Sequence, residues 1–140
     1  MLEFIAARGS ASFLQTPAWA RVKSEWRGER VGFYDGDELT GVGLILYRKL
    51  PKLPRYLAYL PEGPVLDWSR DDIAEHFDAL VTHVKKRQAF AVRIGPAVVH
   101  RIWGTKTIKT AIADDNITSL TEVEPDIVTP EGEHVVSVLK

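Results

Sequence analysis

Apolar residues near the start of the chain recur at the spacing of a helix with strong start signals. Thr16 is suited to cap the first turn through its hydroxyl, and Pro17 suits the first helical position, where no N–H is needed. The pattern predicts a helix from Pro17 to Arg27 that ends at Gly28. Four residues at i, i+3, i+4 and i+7 are predicted to share one face of this helix, namely Trp19, Val22, Lys23 and Trp26.

The position of Lys23 within this aromatic stripe is unusual, because a helix that only packs would place an apolar residue there. Two interpretations stay open from helix geometry. Lys23 lies at the edge of the stripe and extends its ammonium into water, or it is held between the indoles of Trp19 and Trp26 and faces an anionic ligand.

Apolar runs bounded by turn residues predict four strands. They are Arg30–Tyr34, Leu39–Tyr47, Tyr56–Leu60 and Ala89–Ile94. The Asp-Gly step at Asp35-Gly36 predicts a hairpin between the first two strands. A basic loop stiffened by two prolines, Arg48–Arg55, leads into the third strand. This loop is suited either to phosphate contact or to a solvated hairpin tip.

Two further helices are predicted. Ser69 is expected to cap the first of them, and the cations at 85–87 suit its end. Its expected buried stripe is Ile73, Phe77, Leu80, Val81 and Val84. The second is expected over Thr105–Ala113, with Ile108, Ala111 and Ile112 inward. Residues Gly9–Ser12 are expected to form a loop.

The order of these elements predicts a mixed α/β (α+β) fold, with a sheet that is mostly antiparallel at its start and helices packed against it. The 140 residues are expected to form a single domain over 1–140, weakly patterned in its C-terminal segment, 114–140. There, His134–Leu139 begins either a helix or a strand. The predicted sheet lacks a closing strand, so the sequence is interpreted as part of a larger protein. The open edge of this sheet is expected to pair with a second copy or with an absent subdomain.

Composition narrows the functional classes. A net charge of −1 argues against a general nucleic-acid binder, although residues 1–60 carry nine Lys/Arg against six Asp/Glu. With no cysteine there is no disulfide, thiolate metal site or thiol nucleophile. No apolar run reaches the length of about 18 residues needed for a membrane span, and the N-terminus has no signal pattern. The expected location is the cytoplasm.

Common catalytic motifs for zinc proteases, serine hydrolases, P-loop proteins and dinucleotide binding are absent from the sequence. His76 and His83 lie seven residues apart on one predicted helix, but no third metal ligand is suggested nearby. The sequence therefore predicts neither a metal site nor a cofactor.

Three ordered motifs resemble the Fem family, the tRNA-dependent aminoacyltransferases that add bridge amino acids to peptidoglycan precursors. Phe13–Trp26 resembles the family's Gln-x-x-x-Trp-x-x-Val-Lys-x-x-Trp helix, and Leu57–Asp67 resembles its Tyr-x-x-x-Gly-Pro-Val-x-Asp turn. Phe90–Pro96 is similar to the family strand that ends in Arg-x-Asp-Pro. The resemblance covers about Phe13 to Pro96, and more loosely extends to Pro125.

The resemblance implies the first of two GNAT-like subdomains. It implies that Lys23 contacts a phosphate of a UDP-linked muropeptide, and this favours the anion-facing interpretation of that lysine. The substrate-binding residues that follow are Lys23, Trp19, Trp26, Tyr59 and Gly63. The implied acyl donor of the full-length enzyme is aminoacyl-tRNA, and the acceptor is the stem-peptide amine of the precursor.

Two departures leave the catalytic residues unassigned, because Phe90 and Gly95 stand where some family members have Tyr and Asp. The resemblance also implies a second subdomain with another basic phosphate contact and a helical arm, and this sequence matches neither, so the chain alone is expected to be inactive. Two alternatives remain, a non-catalytic binding or scaffolding module and a GNAT acetyltransferase. The second lacks its usual acetyl-CoA signature in this sequence.

Overall fold

The computed structural model describes residues 1–8 and 11–139, and the chain divides into two compact units, Met1–Ala97 and Val98–Lys140. The expected single-domain organisation stays a prediction. Part of the predicted loop, Gly9-Ser10, lies outside the described residues. Among the residues that are described, no helix has both the length and the apolar character needed to cross a bilayer.

The first unit is built on a four-stranded sheet in the order β1-β2-β3-β4. The strands are β1 (Arg27–Asp35), β2 (Glu38–Lys49), β3 (Tyr56–Leu60) and β4 (Ala89–Ile94). The pairs β1–β2 and β2–β3 are antiparallel, whereas β3–β4 is parallel. The mixed α/β fold with a mostly antiparallel start is therefore confirmed.

The predicted hairpin between β1 and β2 is confirmed. Asp35 pairs with Glu38, and Gly36 adopts a φ of 56° in the two-residue turn between them. That left-handed conformation favours glycine. Strand β2 is buried continuously from Thr40 to Tyr47 because helices cover both faces of the sheet.

Helices on the two faces are held by different side chains. The helices of this unit are α1 (Leu2–Ala6), α2 (Pro17–Val22) and α3 (Ile73–Lys86). On one face, the ring of His76 in α3 stacks on Phe33 of β1 with centroids 5.7 Å apart. On the opposite face, Ala20 of α2 lies against Gly28 of β1, where an added Cβ would meet the Ala20 methyl at 2.9 Å.

Helix α2 is shorter than predicted, and the single face expected for its four residues does not form. Lys23 ends the helix at φ −91° and ψ 50°, and Val22 is 64% exposed. Trp26 lies beyond the helix, where its backbone N–H donates to the Lys23 carbonyl at 2.9 Å. Strand β1 then starts at Arg27, because sheet pairing of that residue with Tyr47 prevails over helix propensity. Thr16 precedes α2 as predicted, but its hydroxyl donates to the Phe13 carbonyl and caps no helical N–H.

The start predicted for helix α3 is also wrong. Its N-cap is Asp72, whereas the hydroxyl of Ser69 donates to Asp67 at 2.6 Å. The buried positions of this helix are Ile73, His76, Leu80 and Val84. Phe77 and Val81, which were expected to be buried, are only half-buried. A polar residue, His76, thus takes part of the buried stripe, because Thr40 and the Asp72 carbonyl lie within hydrogen-bond distance of its ring nitrogens.

The second unit contains short elements tied by side-chain hydrogen bonds. They are β5 (Arg101–Ile102), α4 (Thr105–Ile112), β6 (Ile127–Val128) and α5 (Pro130–Leu139). Asp126 accepts hydrogen bonds from the Gly104 N–H and the Thr107 hydroxyl at the start of α4. The prediction that Ile112 points inward is wrong, since it is 78% exposed at the end of this helix. The open prediction at His134 resolves to a helix.

Candidate functional site

A buried glutamine fixes the N-terminal segment on the sheet. The side chain of Gln15 is fully buried, and its Nε2 donates to the Pro61 carbonyl at 2.5 Å. Its Oε1 accepts from the Leu44 N–H at 2.9 Å. Both ends of the amide are thus used to join the segment before α2 to β2 and to the turn after β3. This junction determines where α2 begins and hence where Trp19 and Lys23 lie.

Lys23 lies over one indole. Its Nζ is 5.4 Å from the ring centroid of Trp19, and that ring meets Phe13 edge-on at 5.4 Å. Lys23 is half-buried, and within the part of the chain that the structure describes it forms no salt bridge with a carboxylate. A cation held on an aromatic face without an acidic partner is available to an anion.

The second predicted indole belongs to a different group of side chains. Trp26 pairs with Tyr59 at a centroid distance of 6.2 Å. Arg48 lies over the Trp26 ring at 5.5 Å, and Arg93 lies over the Tyr59 ring at 5.7 Å. The sheet places these residues together, because Tyr59 pairs with Arg93 of β4 and with Leu46 of β2. The structure therefore joins Trp26 to Tyr59 and joins Lys23 to Trp19, as two aromatic–cation groups.

Gly63 is buried beside Gln15. A Cβ at this position would overlap the Gln15 amide, so the space is taken up by packing. A role for Gly63 in substrate contact stays a prediction, and what the structure adds is its fit against the amide.

A charged network crosses from β1 to α3. The Glu29 carboxylate accepts hydrogen bonds from the Tyr47 hydroxyl at 2.7 Å and from the Arg87 guanidinium at 2.8 Å. Nε2 of His83 lies 3.3 Å from the same carboxylate. Burial raises the pKa of Glu29, but the hydrogen bonds from Arg87 and Tyr47 outweigh it and lower the pKa to about 2. Burial, and then the bond to Glu29, raise the pKa of Tyr47 above its usual range.

Beside this network a cleft of about 600 Å³ opens between β1 and α3. None of the five predicted substrate-binding residues lines it. Over the described ranges, 1–8 and 11–139, no cluster of three or more His, Asp or Glu side chains is arranged to hold a metal ion.

Sequence reasoning assigned no role to Gln15, Arg93 and Glu29. Gln15 and Arg93 were inside the motifs that carried the family resemblance, and that position was the available signal for both. Glu29 carried no signal, because its partner Arg87 is 58 residues away in the chain.

Comparison with known proteins gives the family to which this fold belongs. A crystal structure of FemX matches this chain at a TM-score of 0.58 and 30% identity, covering 79% of this chain and 28% of that one. The FemAB family model matches residues 2–123. The chain belongs to the FemAB family.

Two of the relatives are glycyltransferases of staphylococci. The lipid II:glycine glycyltransferase of Staphylococcus saprophyticus is 34% identical over 98 residues, which are 68% of this chain and 24% of that protein. The enzyme of the same name from Staphylococcus haemolyticus is 35% identical over 98 residues, covering 68% of this chain and 23% of that protein. The chain therefore spans about a quarter of the length of the curated relatives it matches.

Proposed function

We propose that this chain is the precursor-binding part of an aminoacyltransferase that builds peptidoglycan bridges. Lys23 binds a phosphate of the precursor, with Trp19 holding the ammonium in place. The observation that carries the proposal is the half-buried Lys23 ammonium over the Trp19 ring, without a carboxylate partner in the described part of the chain. The relatives are named as glycyltransferases that act on lipid II, and these names support a peptidoglycan precursor as the acceptor.

The pair formed by Trp26 and Tyr59 extends the same proposal. Arg48 and Arg93 lie on these rings and form no salt bridge with an acid among the described residues. Two aromatic faces and two guanidinium groups suit a planar or anionic part of the precursor. Gly63 contributes by supporting the turn that follows Tyr59.

The reaction belongs to the whole enzyme. A neutral stem-peptide amine attacks the ester carbonyl carbon of an aminoacyl-tRNA, and an amide C–N bond forms. The ester C–O bond breaks, and the proton lost by the amine passes to the leaving ribose oxygen, which becomes a hydroxyl. Orientation and charge stabilisation matter most in such a step. We propose that this chain contributes orientation of the acceptor and by itself transfers no amino acid.

The test is a titration with a UDP-linked muropeptide. Wild type is compared with Lys23→Ala and Lys23→Arg by calorimetry. Removing one charge-assisted phosphate contact is expected to weaken binding by at least tenfold, about 1.4 kcal/mol, and Lys23→Arg is expected to retain most of the affinity. Lys106→Ala, at an exposed position of helix α4, is the matched control and should bind as wild type does.

Two results decide against the phosphate role. One is equal binding by wild type and Lys23→Ala, and the other is no binding by either protein. A saturable affinity for acetyl-CoA in place of the muropeptide would favour the acetyltransferase alternative. Binding of the muropeptide without transfer after addition of the remaining part of such an enzyme would favour a binding module.

A further inference from the structure

The loop between β2 and β3 presents one apolar side chain among cations. We call Leu50–Arg55 the basic hairpin tip. It is closed by a hydrogen bond from the Leu50 N–H to the Arg55 carbonyl at 2.9 Å. Leu53 is 55% exposed within it, between Pro51-Lys52 on one side and Pro54-Arg55 on the other. Two prolines restrict the loop, so the leucine is presented rather than free to fold back.

Cations from other elements surround the same end of the sheet. Strand β1 begins there, because Arg27 pairs with Tyr47, and helix α3 ends there, because the Tyr56 N–H donates to the Gln88 carbonyl at 3.2 Å. The cations that these elements bring together are Arg27, Lys49, Lys52, Arg55, Lys85 and Lys86. Arg87 lies at the same end but is paired with Glu29 at 2.8 Å. The sequence has no Asp or Glu from Leu39 through Pro61.

The opposite end of the sheet is acidic. Asp35, Asp37 and Glu38 lie at the β1–β2 turn, and Asp71 and Asp72 precede helix α3. These two acidic segments lie close together, since Arg70 reaches both Asp35, at 3.6 Å, and Asp72, at 2.5 Å. The first unit therefore carries opposite charges at the two ends of its strands, and an anionic surface would orient it with the basic hairpin tip forward.

We propose that the basic hairpin tip docks this chain on an anionic lipid bilayer, with Leu53 inserted among the headgroups and the surrounding cations in contact with lipid phosphates. This proposal rests on the proposed function only for its setting, since the relatives are named for transfer to lipid II, and a lipid-linked acceptor lies at a membrane surface. An RNA backbone would also meet the cations, but it gives no role to an exposed leucine at the apex of the loop. The leucine decides in favour of the bilayer.

The expected strength follows from the charges and the apolar side chain. Each lysine or arginine close to an anionic bilayer strengthens binding by about fivefold, which corresponds to about 1 kcal/mol. Insertion of the leucine adds about tenfold. Salt weakens the cation part, because the Debye length falls from about 10 Å at 0.1 M to a few ångströms at high salt.

The experiment is co-sedimentation of the full 140-residue chain with vesicles. Vesicles of phosphatidylcholine with about one third phosphatidylglycerol are compared with vesicles of phosphatidylcholine alone. Wild type is expected to bind the anionic vesicles at least tenfold more tightly. Leu53→Ser is expected to lose about tenfold, and the pair Lys52→Gln with Arg55→Gln about twentyfold.

Matched controls distinguish binding through the basic hairpin tip from nonspecific binding through other exposed leucines and lysines. Leu2→Ser removes another exposed leucine, 60% exposed in α1, and should bind as wild type does. Lys106→Gln with Lys109→Gln removes two cations from α4 and should also have no effect. Thermal unfolding of each variant confirms that the comparison is between folded proteins.

Three outcomes overturn the proposal. The first is equal binding to charged and neutral vesicles, and the second is no effect of Leu53→Ser. The third is displacement of the protein from vesicles by a short single-stranded RNA, together with equal binding of that RNA by wild type and Leu53→Ser. That result would assign the surface to RNA. The vesicles contain no peptidoglycan precursor, so this test fails or succeeds independently of the muropeptide titration.

Discussion

The amide of Gln15 lies against Gly63, in the space that a Cβ at that glycine would need. The two residues are 48 positions apart, and the turn containing Gly63 also supplies the Pro61 carbonyl that accepts from Gln15 Nε2. The contact fixes the start of α2 relative to β3. Lys23 and Trp19 on one side, and Tyr59 on the other, depend on it for their relative placement.

Replacing Gly63 with alanine should be strongly destabilising. The added methyl overlaps the Gln15 amide, so the amide must leave its hydrogen bonds to Leu44 and Pro61 or the turn must shift. We expect a loss of about 2–4 kcal/mol in the free energy of unfolding, from overpacking and from buried groups left unpaired. Urea unfolding followed by tryptophan fluorescence measures it.

The control for this substitution is Gly95→Ala. Gly95 is exposed, and a Cβ there meets no atom within 4 Å, so this variant should be as stable as wild type or slightly more stable. In a Gln15→Ala background Gly63→Ala should cost much less, because the clashing amide has gone. An undiminished cost in that background would contradict the overlap with Gln15 as the cause.

Removing the polar atoms of Gln15 tests the hydrogen bonds separately from the packing. In Gln15→Met the Leu44 N–H and the Pro61 carbonyl lose their side-chain partners inside the core. We expect a loss of about 2–4 kcal/mol in stability and faster hydrogen exchange at the Leu44 amide. Unchanged exchange at Leu44 would show that the amide protection does not depend on Gln15.

The network at Glu29 should make stability depend on pH. Its pKa is lowered to about 2 in the folded protein, so between about pH 2 and 4.5 the unfolded chain binds the extra proton. The stabilisation is fully present above about pH 5 and is lost as the pH falls toward 2. Glu29→Gln should therefore cost about 1–3 kcal/mol at pH 7 and almost nothing near pH 2, in urea unfolding at each pH.

Glu38→Gln is the control for that titration. Glu38 is exposed in the neighbouring strand, and its replacement should change stability by less than about 0.5 kcal/mol at pH 7. A difference between wild type and Glu29→Gln that stays constant from pH 7 to pH 2 would contradict the assignment to the Glu29 carboxylate.

Gly95→Asp should introduce an acid without disturbing the fold. The resemblance placed an aspartate here, and the exposed backbone leaves open space for its side chain. We expect the free energy of unfolding to change by less than about 0.5 kcal/mol, and muropeptide affinity to stay within about threefold of wild type. A larger loss of stability in urea unfolding would show that this segment is more constrained than its exposure indicates.

Local sequence pattern determined the elements that depend on neighbouring residues. Strands β3 and β4 have the bounds that their apolar runs predicted, and the Asp35-Gly36 turn forms where the Asp-Gly step placed it. The mixed α/β class follows from the order of such elements. The three ordered motifs were sufficient to indicate the family, because such motifs consist of residue types at fixed spacing.

Tertiary structure decided what depends on residues far apart in the chain. Helix periodicity extended α2 through Trp26, but pairing of Arg27 with Tyr47 ends the helix early and brings Trp26 to Tyr59. The two indoles beside Lys23 in the sequence are therefore separated, and Trp19 alone carries its ammonium. Spacing along a helix cannot foresee a contact that a sheet 20 or more residues later imposes, because sheet hydrogen bonds and burial outweigh the small preferences of a single turn.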